Sequence, residues 1–444
     1  MLAAAAVACA GASPRSGTAE PSSRPQSAGI EALPTASAVA APDEGPIPLE
    51  PPPMTQSTTD ALSFLRASIT PFPDGAAASG LALTDPSTRR AAVYDSALLV
   101  LTLVRWGQRP DAGRLVMGLY ALQDSDGSVP FSLTLPRETG VRYVRSGAVA
   151  WVGLAAVDFL DSQRTGPARD EARTVARRAA SYLMGRQVAQ QGDPRDGLVR
   201  GGEGAYRYEL DSRGAVKEVL VEEDVAWVSA EHNIDAYFFL RALGRVTGDK
   251  SYTAAAARIA TGLARLWNGS RGQLDRGANA SGTDSVLELD CASWGSVFWS
   301  ATGDLAKAET SAAVADAGYA STDPKTKASG HRARLSGPVL EGDVLRRALE
   351  AKLPARDWRD LAQVWPEGTA GVAFAALRVG KRERAKALLD QLEALRGGDG
   401  SVPTSTLGIP FLFDTKPSLA GTAWIELVRF ELARPAGKPT LWIP

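Results

Sequence analysis

Asp95-Ser96-Ala97-Leu98-Leu99-Val100-Leu101-Thr102-Leu103-Val104, followed after Arg105 by Trp106-Gly107-Gln108-Arg109-Pro110, decides how this chain folds. The first run is apolar on nearly every side, the pattern of a helix buried all round. The glycine turn stops that helix, and another begins directly after it. The same device recurs at Thr165-Gly166-Pro167, Thr247-Gly248-Asp249, Thr302-Gly303-Asp304 and Val379-Gly380-Lys381. Apolar runs precede these turns at 146–160, 231–243, 291–299 and 368–377, and amphipathic, charged runs come after them, as at 168–188, 252–267 and 381–395. Residues 57–69 supply an amphipathic first helix and 421–432 a last apolar one, which completes six pairs. Uneven spacing and the absence of a tetratricopeptide signature argue against an open solenoid. Six inner helices ringed by six outer ones give an all-α fold, the (α/α)6 toroid.

Connection lengths place function at one end of that ring. Inner-to-outer turns are short, whereas the outer-to-inner connections 124–145, 189–230, 268–289, 320–365 and 397–419 run to about 20 to 45 residues, a length usual for functional loops. All of them emerge where the inner helices begin, so helix N-termini and loops together wall a concave site. Within the second connection, residues 204–221 read as a β-hairpin around Asp211-Ser212-Arg213-Gly214.

Composition narrows the chemistry. The 444 residues carry 49 Lys+Arg against 50 Asp+Glu, and no stretch clusters the basic residues, so the electrostatic footprint of a nucleic-acid binder is missing. Two cysteines, Cys9 and Cys291, and two histidines, His232 and His331, are too few for a zinc cluster or a disulfide framework. No metal and no cofactor is implied, which leaves carboxylates and hydroxyls to do the chemistry.

The N-terminus reads separately. Met-Leu-Ala-Ala-Ala-Ala-Val-Ala ends at Cys9, and small residues before a cysteine resemble a bacterial lipobox. That resemblance implies cleavage before Cys9, lipidation of the cysteine and, with no Asp following, residence at the outer membrane; the alternative is an Ala-rich start with an incidental cysteine. Residues 11–53 hold ten prolines among Ser and Ala, a composition that cannot bury enough surface to order itself. The expected organisation is a lipoprotein signal at 1–9, a tether at 10–53, the toroid at 54–435 and a tail at 436–444, with any membrane contact made through the lipid anchor alone.

The inner-helix starts Tyr94-Asp95, Ser229-Ala230-Glu231-His232-Asn233-Ile234-Asp235-Ala236-Tyr237, Leu289-Asp290-Cys291-Ala292-Ser293-Trp294-Gly295, Trp365-Pro366-Glu367-Gly368 and Gly421-Thr422-Ala423-Trp424, set in this architecture, resemble the six-hairpin glycosidase superfamily. The resemblance covers about residues 55 to 435 and implies carbohydrate ligands without fixing a family. Glycosidic cleavage needs one carboxyl to protonate the leaving oxygen and a second to activate water or attack the anomeric carbon. Glu367 is the expected general acid, with Glu231 or Asp290 as base or nucleophile. Asp235, four residues beyond Glu231 and so on the same helix face, joins Asp95, Tyr94, His232 and Asn233 as expected sugar-positioning groups. Trp227 and Trp365 are expected stacking platforms.

Plain structural readings compete with these. Asp95 and Asp290 suit N-caps, Glu231 and Pro366-Glu367 suit helix first turns, and His232 suits a satisfied core position. Asp126-Gly127-Ser128-Val129-Pro130 recurs as Asp399-Gly400-Ser401-Val402-Pro403 and reads as turn chemistry, with glycine supplying a left-handed residue. The favoured function is a glycoside hydrolase of the periplasm or outer membrane. The alternatives are a sugar epimerase, weakened by the lack of paired histidines, and a noncatalytic glycan-binding lipoprotein that assists polysaccharide assembly.

Overall fold

The computed structural model describes residues 50–444 apart from 71–79, 135–141, 163–164, 341, 351–352, 354, 356, 436–439 and 443–444. Cys9 and nearly all of the expected tether lie outside the described residues. No helix among the described residues is long and apolar enough to cross a membrane.

Six inner helices, α2 (Val93–Arg105), α4 (Ser146–Ser162), α6 (Ala230–Thr247), α8 (Leu289–Thr302), α11 (Pro366–Arg378) and α13 (Leu419–Ala433), alternate along the chain with six outer ones. The outer helices are α1 (Gln56–Ala67), α3 (Arg109–Leu122), α5 (Arg169–Gly185), α7 (Lys250–Arg265), α9 (Leu305–Ala313) and α12 (Arg382–Glu393), and a short α10 (Asp343–Leu349) lies in the connection before α11. Each inner helix packs on the next, and α13 packs back on α2, so the ring is closed. The (α/α)6 toroid expected from the sequence is the fold observed.

Burial separates the two layers as the sequence patterns require. Every residue of α2 is buried, whereas α7 buries Ala255, Ala256, Ile259, Gly262 and Leu263, one stripe at helical spacing. The glycine turns act as helix stops: Gly248 and Gly303 sit at φ 72° and 87°, the left-handed C-cap conformation. Asp249 and Asp304 then cap the next outer helices, accepting from the Ser251 and Lys307 amides.

The repeated Asp-Gly-Ser turns bind the outer layer together. Asp126 accepts from the Ser128 amide and hydroxyl, and Asp399 does the same for Ser401. Gly127 and Gly400 have φ of 90° and 85°. A Cβ on Gly127 would lie 1.9 Å from the Arg178 carbonyl oxygen on α5, and one on Gly400 would lie 2.4 Å from that of Asp60 on α1. Each turn thus lays bare backbone against the next outer helix, and the second one joins the last outer helix to the first.

The far end of the ring is stoppered by the C-terminal tail. Trp442 is 6% exposed and enters a cage of aromatic side chains. It lies 4.7 Å from Trp294 and 4.8 Å from Phe374, edge to face, and 5.3 Å from Trp424 in a stacked arrangement. The Thr440 amide donates to Glu431, and Arg378 donates to the Leu441 carbonyl. Within the tail expected at 436–444, Leu441 and Trp442 are part of the core.

Candidate active site

The N-terminal ends of α2, α6, α8 and α11 bring Asp95, Glu231, Asp235, Asp290 and Glu367 into the ring, and all five side chains are buried. None of them is a helix cap. Ala92, Ser229, Glu288 and Trp365 occupy the N-cap positions of these helices, so Asp95 and Asp290 lie inside the first turn. The N-cap role weighed for these two acids is therefore corrected by the structure: Ala92 offers no side-chain oxygen, and no side-chain cap bond forms at Glu288 or Trp365. Pro366 sits at the first position of α11, as its fixed φ favours.

Hydrogen bonds order the cluster. Trp424 Nε1 donates to Tyr94 Oη (2.7 Å), and Tyr94 Oη donates to Glu367 Oε1 (2.8 Å). Burial and the nearby Glu367 hold the Tyr94 phenol well above its ordinary pKa, so it stays a proton donor. Trp294 Nε1 donates to Asp235 Oδ1 (2.9 Å), and Thr84 Oγ1 to Asp95 Oδ2 (2.5 Å). Asp290 differs from these: its Oδ1 is buried and has no hydrogen-bond partner.

The electrostatics follow from that geometry. Burial pushes Asp290 up to about 7, with Glu367 and Glu288 adding to the rise. Burial also raises Asp95 to about 7, with Glu367 contributing. Glu231 is held well above the carboxylate range by burial and then by the charges of Asp290 and Asp235. Asp235 is raised by burial and by Asp290, against the pull of its Trp294 hydrogen bond. Asp290 is thus coupled to carboxyls on both flanking inner helices. A buried carboxyl with an unpartnered oxygen, set among other carboxyls, holds its proton near neutrality, the property a general acid needs.

The remaining expected residues divide. Asn233 is fully buried and committed to structure, pairing through both amide atoms with the Val199 backbone and donating also to the Ser229 carbonyl. His232 is kept neutral, its pKa lowered to about 3 by burial and by Arg145, and its Nδ1 has no partner. Trp365, expected as an exposed platform, is 1% exposed and packs on Phe413 and over Gly368. Trp227 is half-buried beside His232, with ring centroids 5.9 Å apart. His331 is turned away, its Nε2 meeting the Asp316 carbonyl (3.1 Å).

Several groups at the site were not expected. Glu288, the residue before α8, is gripped by Arg334 (2.7 Å) and Arg276 (3.4 Å). Thr84 fixes Asp95, and Arg145 lies over Tyr143 at 4.2 Å and near Trp227 at 5.8 Å. Glu288 and Arg145 stand just before inner helices, a position the repeat pattern marks; Thr84 carries no such mark. Among the described residues no group of three His, Cys, Asp or Glu side chains is arranged to hold a metal.

This ring with its acidic mouth is the six-hairpin glycosidase-type fold. Solved structures that share it include a glycosidase variant in complex with glucose, at 14% identity and TM-score 0.56, covering 88% of this chain and all of that one. A D-mannose isomerase is similar at 11% identity and TM-score 0.56, over 84% of this chain and 95% of its own. The GH76 α-mannanase of Bacteroides thetaiotaomicron aligns at 11% identity and TM-score 0.52, over 85% and 96%. No protein-family model matches the sequence, and no curated protein does.

Proposed function

We propose that the protein is a carbohydrate-active enzyme, a glycoside hydrolase acting on an oligo- or polysaccharide at the cell envelope. The observation that supports this reading is that Asp290 is buried, with Oδ1 unpartnered and its pKa raised to about 7 by burial and by the charge of Glu367, which accepts the Tyr94 hydroxyl. Similarity in fold to glycosidases supports it.

The roles we assign reverse those expected from the sequence. Asp290 keeps its proton and delivers it to the leaving glycosidic oxygen. Glu367 is the carboxylate that takes a proton from the attacking water or bonds to the anomeric carbon itself, and the anomeric configuration of the product tells which. Burial, Glu367 and Glu288 disfavour loss of the Asp290 proton, and Trp227 at the lip offers a face on which a sugar stacks. A sugar epimerase is disfavoured, because His331 is engaged with Asp316 and leaves no histidine pair. The lipobox-like start at Cys9 supports tethering of this domain outside the inner membrane.

The test is chromatography of products after incubation with a panel of bacterial and plant glycans, alongside Asp290→Asn and Glu367→Gln. Released sugars that vanish in both variants support hydrolysis. Saturable binding without any product points to the noncatalytic glycan-binding reading and overturns this one. Mass analysis of the mature N-terminus tests the anchor: a chain that retains Met1 and stays cytoplasmic removes it.

A further inference from the structure

The hairpin of the second connection does more than decorate the mouth. Its strands, Gly202–Leu210 and Val216–Val225, pair antiparallel and rise between α4 and α6. The base is fixed on that side of the ring. Gly202 and Glu203 pair with Arg145 and Val144, Arg145 Nη1 donates to the Glu203 and Gly204 carbonyls (3.2 and 2.8 Å), and Arg186 donates to the Gly202 carbonyl.

Just above the base the pairing register shifts between Glu203 and Ala205, with Gly204 at φ 74°. Such a bulge bends the strand that carries it and re-aims the residues beyond it. Past the bend, Tyr208 meets Phe411 edge to face at 5.4 Å. Tyr208 and Val216 also pack on a small apolar cluster of Leu340, Leu345 and Leu349. Leu345 and Leu349 belong to α10 in the connection before α11, and Phe411 belongs to the connection before α13. In a closed ring of six, α11 and α13 stand opposite α4 and α6. The hairpin is therefore tied at its base to the α4 and α6 side and at its far end to the connections that enter α11 and α13, at a mouth whose carboxyls are all buried. At the other end of the axis Trp442 closes the floor.

We propose that this hairpin is a fixed strap that makes the site a blind pocket, so that the protein takes the ends of glycan chains and short oligosaccharides, not the interior of a long chain. The proposal deepens the hydrolase reading and, for its substrate class, rests on it. An interior-cleaving enzyme needs a groove through which the chain enters and leaves. Here a chain would have to thread under a strap anchored on both sides, with no exit below. A chain end needs only one opening beside the strap.

Two measurements test this, and the first needs no substrate. The carboxyls of Glu231, Asp290 and Glu367 are modified with a carbodiimide and glycine ethyl ester, and labelling of each is read by peptide mass spectrometry. Replacing residues 206–220 with Asn-Gly, which joins the paired Ala205 and Val221 by a tight turn, is expected to raise labelling of the three by on the order of ten-fold. Tyr208→Ala with Val216→Ser, which frees only the far end of the strap and is the safer variant for folding, is expected to give a smaller rise of the same kind. Labelling that stays at the wild-type level in both variants overturns the strap. The second measurement tracks polymer size during digestion of any glycan that is cut. Release of small sugars while the polymer keeps its length supports end-directed action. A fast early fall in polymer length overturns the inference and leaves the hydrolase reading standing. If labelling responds as expected but no glycan is cut, the hydrolase reading falls and the blind pocket remains.

Discussion

The two ends of this ring are built by opposite rules. At the closed end, charges are paired and the axis is occupied. Arg105 is paired with Asp158 and Arg378 with Glu431, while Trp442 fills the axis. A cavity of about 320 Å³ beside the tail, lined by Leu154, Arg241, Leu441 and Trp442 among others, lies far from the carboxyls. At the mouth, Glu288 is paired with Arg334 and Arg276, but Asp95, Glu231, Asp235 and Asp290 are gathered with no ion pair of their own among the described residues, and Asp290 Oδ1 is buried without a partner. Burying like charges together is unfavourable for folding. A ring that stabilises one end and strains the other has the pattern expected of an active site at the strained end.

The largest effect that breaks this comparison is catalytic. Asp290→Asn removes the proposed proton donor while keeping its shape, and turnover is expected to fall roughly 10²- to 10⁴-fold with the thermal midpoint unchanged or raised. An equal loss from a substitution at the closed end, such as Arg241→Gln, shows that the two ends are not distinct in function.

Trp442→Ala should do the converse. Emptying the aromatic cage is expected to cost roughly 3–5 kcal/mol in unfolding free energy, measured by denaturant titration, with activity retained under conditions where the variant is folded. A loss below about 1 kcal/mol means that the tail is not a plug.

The pH dependence of stability sharpens the contrast. Asp290 and Asp95 have folded-state pKa values near 7 against about 3.8 unfolded, so the folded state binds protons more tightly between those limits. Stability is then fully present below about pH 4 and falls as pH rises towards 7, by an amount on the order of a few kcal/mol for each group. This trend is the sign opposite to that of an ion-paired carboxylate. Asp290→Asn is expected to flatten it, and a wild-type profile that climbs steadily from pH 4 to 7 contradicts the cluster. With Asp290 as the proposed proton donor, activity is expected to decline above about pH 7.

Gly127→Ala bears on the ring's frame. The added methyl meets the Arg178 carbonyl at a left-handed backbone position, and a loss of about 1–3 kcal/mol is expected without loss of specific activity. The smallest effect is local to the site. Tyr94→Phe removes the donor to Glu367 and the acceptor for Trp424, and kcat is expected to drop about ten-fold with KM little changed.

Much of this molecule is legible in its residues. Helices buried all round, helices with one apolar stripe and the glycine stops between them carry the toroid in periodicity alone, because burial on one side or all sides leaves a direct imprint on side-chain type. The position of function at the inner-helix starts is readable too, since loop length is asymmetric along the chain. Side-chain direction within those starts is not. Asn233 sits beside His232 in sequence, yet it is bound to the Val199 backbone, and Trp365 turns inward on Phe413. A helix start fixes the backbone and leaves the rotamer to whatever packs there.

The sequence by itself therefore determined the ring, its two layers and the acidic composition of its mouth, because these depend on local patterns repeated six times. Only the tertiary structure decided that Asp290 Oδ1 lacks a partner, that Tyr94 serves Glu367, that the hairpin meets α10 and Phe411 and that Trp442 closes the axis. Each of those depends on residues far apart in the chain, such as Tyr94 with Glu367 and Trp294 with Trp442. Such contacts exist only once the ring has closed, and no local pattern encodes which side chains then meet across it.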